Sequence, residues 1–471
     1  MNWQIALPEL WLSGAGLLIL MVGVFVRRNG FVVCTLLSLA AFIATGMLVL
    51  RVAPGTGYAG LFVADAFARY MQVLVLAGAG LALVLALDDN RRAAIDRFEF
   101  PVLVLFATVG MLVMISAGNM ISLYLGLELQ SLSIYVLAAF ARDSRRSVEA
   151  GLKYFVLGAL ASGLLLYGIS LVYGFTGLMD FAALRTALTA APAPGLVVGI
   201  VFVVAGIAFK LSAAPFHMWT PDVYEGAPTS VTALLASAPK VAAIALLLRV
   251  LAEPFGHLVA SWQQLIVLVS IVSMLWGSFA AIGQTNIKRL MAYSSIGHMG
   301  YALIGLATGT AAGFRGVMIY MVTYLFMSVG SFAVIIAMRR GQAPVERITD
   351  LTGLGRTDPA LALVLAILMF SMAGIPPMAG FFGKLYVFLA AVQGGLWTLA
   401  VLGVLTSVIG AYYYLRVIKV MYFDAGGEKL DGRGRALSAV AFGAAGFTLF
   451  FAVFSQPIIG AAEAASRALL G

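Results

Sequence analysis

Four lysines, Lys153, Lys210, Lys240 and Lys384, and one glutamate, Glu128, stand inside runs that are otherwise apolar. A charge at mid-bilayer costs about 2.5–3.5 kcal/mol on insertion scales, and such residues mark ion pathways and proton relays. Amines and carboxyls both exchange protons. Burial disfavours their charged forms, a neighbouring opposite charge favours them, and the balance sets the pH of exchange. The chemistry these residues suit is proton transfer within a membrane.

The elements that must position them read as membrane helices. Of 471 residues, 62% are hydrophobic and 10% charged, and the mean hydropathy is +1.03. A soluble domain carries about 25% charged residues, and a span needs about 20 apolar ones. Such runs fall at 4–26, 31–50, 68–87, 98–117, 120–141, 148–175, 195–218, 228–252, 258–282, 287–308, 313–338, 360–393, 396–421 and 436–456. The expected fold class is an all-α polytopic membrane protein of about 14 transmembrane helices. The polar stretches 341–358 and 424–435 are too short to fold alone. The first run lacks a basic leader and a small-residue cleavage site, so it reads as a retained span.

A single cysteine, Cys34, and three histidines exclude a disulfide framework and, held by this chain alone, an iron–sulfur cluster or a haem-rich electron carrier. No Walker A or Rossmann pattern is present, so the chain itself is expected to perform neither redox chemistry nor ATP hydrolysis. No two histidines have metal-ligand spacing. The net charge of +9 does not point to nucleic acid, because it lies in short alternate loops. Arg27–Arg28, Arg91–Arg92–Arg97, Arg142–Arg145–Arg146, Lys288–Arg289, Arg339–Arg340–Arg347–Arg356 and Lys429–Arg433–Arg435 fall on one side. Only scattered residues such as Arg51, Arg69, Arg185 and Arg315 fall on the other. That bias places the basic loops in the cytoplasm, and an even number of spans then leaves both termini periplasmic.

Two spans are interrupted. FKLSAAPFHMWTPDVYEGAP breaks the seventh at Pro215 and Pro221, just after Lys210. SMAGIPPMAGFFGKLYVF breaks the twelfth at Pro376–Pro377, just before Lys384. Proline removes a backbone donor and clashes with the preceding turn, and at membrane depth such breaks are tolerated where they line a wet cavity or are buried in protein. The breaks are five spans apart. NMISLYLGLELQSLSIY and NIKRLMAYSSIGHMGY echo each other at the same offset, as do GLKYF and GVMIY. An odd-numbered repeat must be inverted, and paired broken helices in inverted repeats point to an ion site. The expected division is 1–95 for helices 1–3, 96–252 for the first five-helix repeat, 253–422 for the second, and 423–471 for a loop and last helix.

Each charged residue also has a structural reading. Glu128 is a titrating partner for an ammonium or a lock between helices. Lys210, at a helix break, suits a half-helix C-terminus. Lys240 follows Pro239 midway along the eighth span, and Lys384 is the corresponding residue at the second break. Lys153 lies near the basic end of its span, four residues after Glu149, a spacing suited to a surface pair. His298 reads equally as a relay or a satisfied core residue, His217 more as core, and His257 as loop. Asp222 and Glu225 could guide proton entry but read more as capping or loop residues, and Glu9, near the outer interface, reads equally either way. Tyr412–Tyr413–Tyr414 read as packing or an interfacial belt.

The segment AFKLSAAPFHMWTPDVYEGAPTSVTALLASAPKVAA resembles the central signature of the antiporter-like subunits of respiratory complex I, a family related to multi-subunit cation/proton antiporters. LPELWL and FFGKLYVF are similar to the same family, and the resemblance covers essentially the whole chain. It implies a proton channel module of two inverted five-helix bundles. Glu128 would be the paired carboxylate, Lys210 the lysine of the broken seventh helix, Lys240 the central lysine, Lys384 the exit-side lysine and Lys153 a modulatory one. It also implies a bacterial inner membrane location, with sister antiporter-like chains and small membrane chains as partners. NADH, FMN, iron–sulfur clusters and quinone would belong to other subunits, and this chain would hold no cofactor.

Overall fold

The computed structural model describes residues 3–26, 28–188, 192–341 and 343–470; Arg27, counted above with the basic loops, lies outside them. The chain is built from α1 (Leu7–Phe25), α2 (Gly30–Arg51), α3 (Ala66–Arg92), α4 (Glu99–Ile115), α5 (Met120–Ala138), α6 (Arg145–Thr176), the short α7 (Phe181–Ala187) and α8 (Pro194–Leu211). These are followed by α9 (Thr220–Gly226), α10 (Thr229–Leu235), α11 (Ala238–Ala252), α12 (Val259–Ile282), α13 (Ile287–Ala307) and α14 (Ala311–Ala337). The last are α15 (Leu354–Thr357), α16 (Pro359–Ala373), α17 (Ala379–Gln393), α18 (Trp397–Phe423) and α19 (Arg435–Leu470).

Eleven of the described helical stretches are long and apolar enough to cross a membrane. The expected runs at 98–117 and 360–393 correspond to the shorter apolar helices α4 and the α16–α17 pair. The run at 287–308 corresponds to α13, whose serines, tyrosines and His298 make it less apolar. The all-α expectation holds, with little regular structure besides the helices. Two short antiparallel hairpins are present, β1 (Gly55–Gly57) with β2 (Phe62–Ala64) and β3 (Arg339–Arg340) with β4 (Ala343–Pro344).

Both expected breaks are present. α8 ends at Leu211 because Ser212 takes φ 60°, and the chain restarts as a helix at Thr220 with Pro221 in its first turn. α16 ends at Ala373 with Gly374 at φ 91°, and α17 resumes at Ala379. A third break was not expected: the run at 228–252 is two helices, α10 and α11, parted at Ala236–Ser237. Pro239 is the cause, since proline has no N–H to donate and its ring clashes with the carbonyl four residues back. It is tolerated in the first turn of α11, where the N–H has no helical partner.

α10, α11 and α14 are almost wholly enclosed, whereas α1, α2, α18 and α19 turn one face outward. Leu18, Phe25, Val408 and Val453 on those faces suit lipid or partner chains. α4 packs closely on α5, and α12 on α13. A Cβ at Gly110 would lie 2.4 Å from the Gln130 backbone nitrogen, and one at Gly277 would lie 2.5 Å from that of Gly297. Small residues permit this backbone approach between membrane helices.

The two ends of the bundle differ. At one end Arg146 reaches Glu225 and Glu346, Arg339 pairs with Asp89, and Arg433 with Asp358. At the other, Arg249 pairs with Asp65, and Arg315 with Glu463. The Asn119 side chain starts α5 by accepting the Ile121 N–H, and the Asn286 side chain starts α13 by accepting those of Lys288 and Arg289. Asn119 bridges to Asp180 at the basic-poor end, while Asn286 bridges to Arg347 at the basic end. These two echoing helices therefore run in opposite directions.

Candidate functional site

Lys210, in the last turn of α8, is buried and donates to the Tyr135 hydroxyl at 2.9 Å. Its ammonium also lies 5.0 Å from the Tyr135 ring, 5.7 Å from that of Tyr154 and 5.4 Å from that of Phe209. Aromatic faces attract a cation and replace part of its lost hydration. Glu128 is half-buried, and its Oε1 accepts from Ser162 at 2.5 Å. No direct ion pair joins Glu128 and Lys210 among the described residues, contrary to expectation. The lysine turns instead to Tyr135, which sits seven residues along α5 from Glu128 and so about 10 Å further along its axis. Two unit charges about 10 Å apart still interact by about 1.7 kcal/mol at an effective dielectric of about 20.

Lys240, in the first turn of α11, donates to the Leu211 carbonyl at 2.9 Å and to Ser212 Oγ. It thus closes the C-terminus of the helix that carries Lys210, where unpaired carbonyls favour a cation. The Trp219 ring is 5.2 Å from the Lys240 ammonium and stacks on Tyr154 at 4.2 Å. Tyr154 in turn faces Lys210, so the two lysines border one aromatic cluster.

Lys384 makes the same kind of contact at the second break. It lies in α17, and its ammonium reaches back to the carbonyls of Met372 and Ala373, both at 3.0 Å, and to Ser407 Oγ at 2.8 Å. The sequence pairs Lys384 with Lys210, but by contact its counterpart is Lys240: each closes a broken half-helix from outside it. The Tyr301 ring lies 4.8 Å from Lys384 and 6.1 Å from the ring of His298. His298 is buried, with Nδ1 2.6 Å from the Tyr320 hydroxyl and Nε2 3.1 Å from that of Tyr414. Tyr414 also pairs with Ser294 at 2.5 Å, and Tyr324 with Ser295 at 2.8 Å. The tyrosine run is therefore not a uniform belt: Tyr412 faces outward, while Tyr413 and Tyr414 are buried.

Lys153 is not in this buried line. Its side chain is 42% exposed and bridges Glu149 at 2.9 Å and Asp222 at 2.8 Å. Asp222 also pairs with Arg289 at 2.7 Å, and Arg289 with Glu225 at 3.1 Å. Asp222 and Glu225 thus act as ion-pair partners at the basic end, where the sequence reading favoured caps. Their chemistry matches a cap's, and only the fold brings α6 and α13 against α9. His217 is half-buried beside Trp276, with ring centroids 5.5 Å apart, away from the lysines.

Residues 117–410 match the family described as NADH:quinone oxidoreductase/Mrp antiporter, TM. The chain belongs to this family. It is 64% identical to the NADH-quinone oxidoreductase subunit N of Granulibacter bethesdensis, over 100% of both chains. A chain of the solved respiratory complex I from Thermus thermophilus is 32% identical, with a TM-score of 0.83 over 97% of this chain and 99% of that one. A chain of the Mrp complex from Dietzia sp. is 23% identical, with a TM-score of 0.86 over 100% of both, a likeness of fold.

In this member of the family, sequence reasoning missed Tyr135, Tyr154, Trp219, Ser212, Ser407 and the fully buried Arg249. Aromatic and hydroxyl residues are common in membrane helices, so nothing in their spacing singles them out. Arg249 carried a signal, being a charge near the end of an apolar helix. Gly158 is what admits Tyr135 to its place, since a Cβ there would lie 2.0 Å from the Tyr135 hydroxyl. Gly158→Ala is expected to displace that hydroxyl and lower coupled turnover about threefold to tenfold, a barrier change of about 0.7–1.4 kcal/mol. Comparing turnover in assembled membranes of both forms checks this, and equal rates would refute it.

Proposed function

We propose that the chain is the proton-translocating, non-redox subunit of an NADH-quinone oxidoreductase membrane arm, with Glu128, Lys210, Lys240 and Lys384 as its relay. The 64% identity to a subunit of that name over the full length of both chains carries the assignment. Sister antiporter-like chains and small membrane chains are its partners in a bacterial inner membrane. NADH, FMN, iron–sulfur clusters and quinone belong to other subunits of that assembly.

The division into repeats at 96–252 and 253–422 is supported by the opposed directions of α5 and α13 and by the matched close packing of α4 on α5 and α12 on α13. The ion pairs gathered at one end support a cytoplasmic basic face and periplasmic termini. Lys240 and Lys384 each bind carbonyls at a broken helix end, which tolerate a cation and accept a proton donor. His298 meets a tyrosine hydroxyl at each ring nitrogen, so a proton taken up on one nitrogen allows another to leave from the second. Lys153 modulates the relay from the basic end. When a charge changes in a neighbouring subunit, Glu128 is the first of these groups to respond, because it is half-buried near the outer face of α5. The change reaches Lys210 by Coulomb coupling, and the proton moves along the lysines through internal water.

The likeness to an Mrp complex chain raises a second reading, a subunit of a multi-subunit cation/proton antiporter. Proton movement in inverted membrane vesicles separates the two. Uptake that requires NADH and quinone and persists without sodium is expected. Proton flux driven by a sodium or potassium gradient without NADH would establish the antiporter instead.

A further inference from the structure

Glu9, near the start of α1, is 4% exposed and lies outside the lysine line. Its Oε1 accepts two hydrogen bonds, from Gln72 Nε2 and Ser116 Oγ, both at 2.8 Å. Its Oε2 is buried and has no hydrogen-bond partner. A buried carboxylate with one oxygen that no protein donor meets is disfavoured, and a proton on that oxygen removes its charge. The carboxyl is the acceptor that the buried Gln72 and Ser116 side chains share, and only Oε1 is used for it.

Glu9 is also reachable. It borders a cavity of about 10 Å³ at the basic-poor end, together with Asp65, Arg69, Gln72, Ser116 and apolar residues of α1, α2 and α3. That volume is about the least that holds one water. Asp65 and Arg69 are the charged groups facing Glu9 across it. Arg69 donates to the Val52 carbonyl at 3.1 Å. Asp65 is held by Arg249, which also pairs with Glu253; both carboxylates are partly exposed while Arg249 is not. Glu9 thus shares the lining of one cavity with the two charged residues Asp65 and Arg69.

We infer that Glu9 is a proton-binding site through which the first half of the molecule exchanges protons with the basic-poor, outer face. A hydronium ion in the cavity breaks one of its O–H bonds as Oε2 forms a new one and is left as water; on release the Oε2–H bond breaks and the proton returns to water by the same route. The inference rests on the proposed role of the chain in moving protons. No residue of the Glu128–Lys384 line takes part in the site.

The test uses the assembled complex in sealed vesicles. Glu9→Gln keeps an acceptor oxygen for Gln72 and Ser116 but carries no exchangeable acid. NADH-driven pumping is expected to fall about tenfold, a barrier change of about 1.4 kcal/mol, and its pH dependence to flatten; Glu9→Asp is expected to restore part of both. Infrared difference spectra of the unmodified complex should contain a carboxylic-acid carbonyl band that shifts in deuterated water and is missing in Glu9→Gln. Glu9→Asp, which keeps an acid and moves the band rather than removing it, supplies the assignment if Glu9→Gln assembles poorly. Unchanged pumping and pH profile in Glu9→Gln, or no acid band assignable to Glu9, would overturn the inference. If Glu9→Gln pumps normally while Lys240→Met does not, only the Glu9 inference fails; if both pump normally, the relay itself fails.

Discussion

Lys240→Met and Lys240→Arg are both expected to lower NADH-driven proton pumping about tenfold or more, with the complex still assembled; each factor of ten is about 1.4 kcal/mol of barrier. Lys240 is 1% exposed, and its ammonium is held by the Leu211 carbonyl and Ser212 Oγ. Methionine fills similar volume without a charge to bury, so the packing of α11 survives. It removes the cation at the end of α8, worth about 0.3–1 kcal/mol at such a site and up to about 2 kcal/mol where partly buried. Arginine keeps the cation and can keep the carbonyl contact, but it holds its proton throughout the physiological range. The pair therefore separates two roles. If Lys240 only pins the helix end, arginine retains pumping and methionine loses stability. If it passes protons, both variants assemble and neither pumps. Proton uptake and turnover measured in the same vesicles decide between them, and normal pumping in Lys240→Arg would remove Lys240 from the relay.

Arg249→Ala is expected to destabilise the assembled subunit by about 3–5 kcal/mol, the usual result of removing one partner from a buried ion pair. Arg249 is fully buried, donates to the Ile115 carbonyl at 2.8 Å, and holds both oxygens of Asp65 at 3.0 Å as well as Glu253. Alanine would leave two carboxylates facing each other and a carbonyl without its donor. The measurement is the thermal midpoint of the solubilised complex. Adding Asp65→Asn and Glu253→Gln to the alanine variant should recover much of the loss, because the uncompensated charges are then gone. An unchanged midpoint in Arg249→Ala would show that the triad contributes little.

Much of the arrangement was legible along the chain because it depends on local physics. Apolar runs long enough to cross a bilayer announce membrane helices. Pro215, Pro221 and Pro376–Pro377 announce the two broken helices, since a prolyl ring removes a helical hydrogen bond and clashes with the preceding turn. The cost of burying an amine singled out Lys210, Lys240 and Lys384 before any contact was known. The third break was legible in the same terms, from Pro239, but a proline one turn into a helix is compatible with a new start as well as a bent continuation.

What the tertiary structure decided is which groups meet. Glu128 and Lys210 are separated because Lys210 finds Tyr135 first. Lys240 and Lys384 become equivalents through the carbonyls they hold, although the spacing of prolines pairs Lys384 with Lys210. Lys153 leaves the buried line because α9 brings Asp222 to it at the exposed basic end. Burial cost and backbone breaks are properties of a residue and its near neighbours, so the sequence alone determined the membrane helices, their breaks and the charged residues placed within them. Partners are chosen across helices far apart in the chain, at distances of a few ångströms that no spacing encodes. The contacts behind the proposed relay and the proposed acid site at Glu9 therefore follow from the packing of helices.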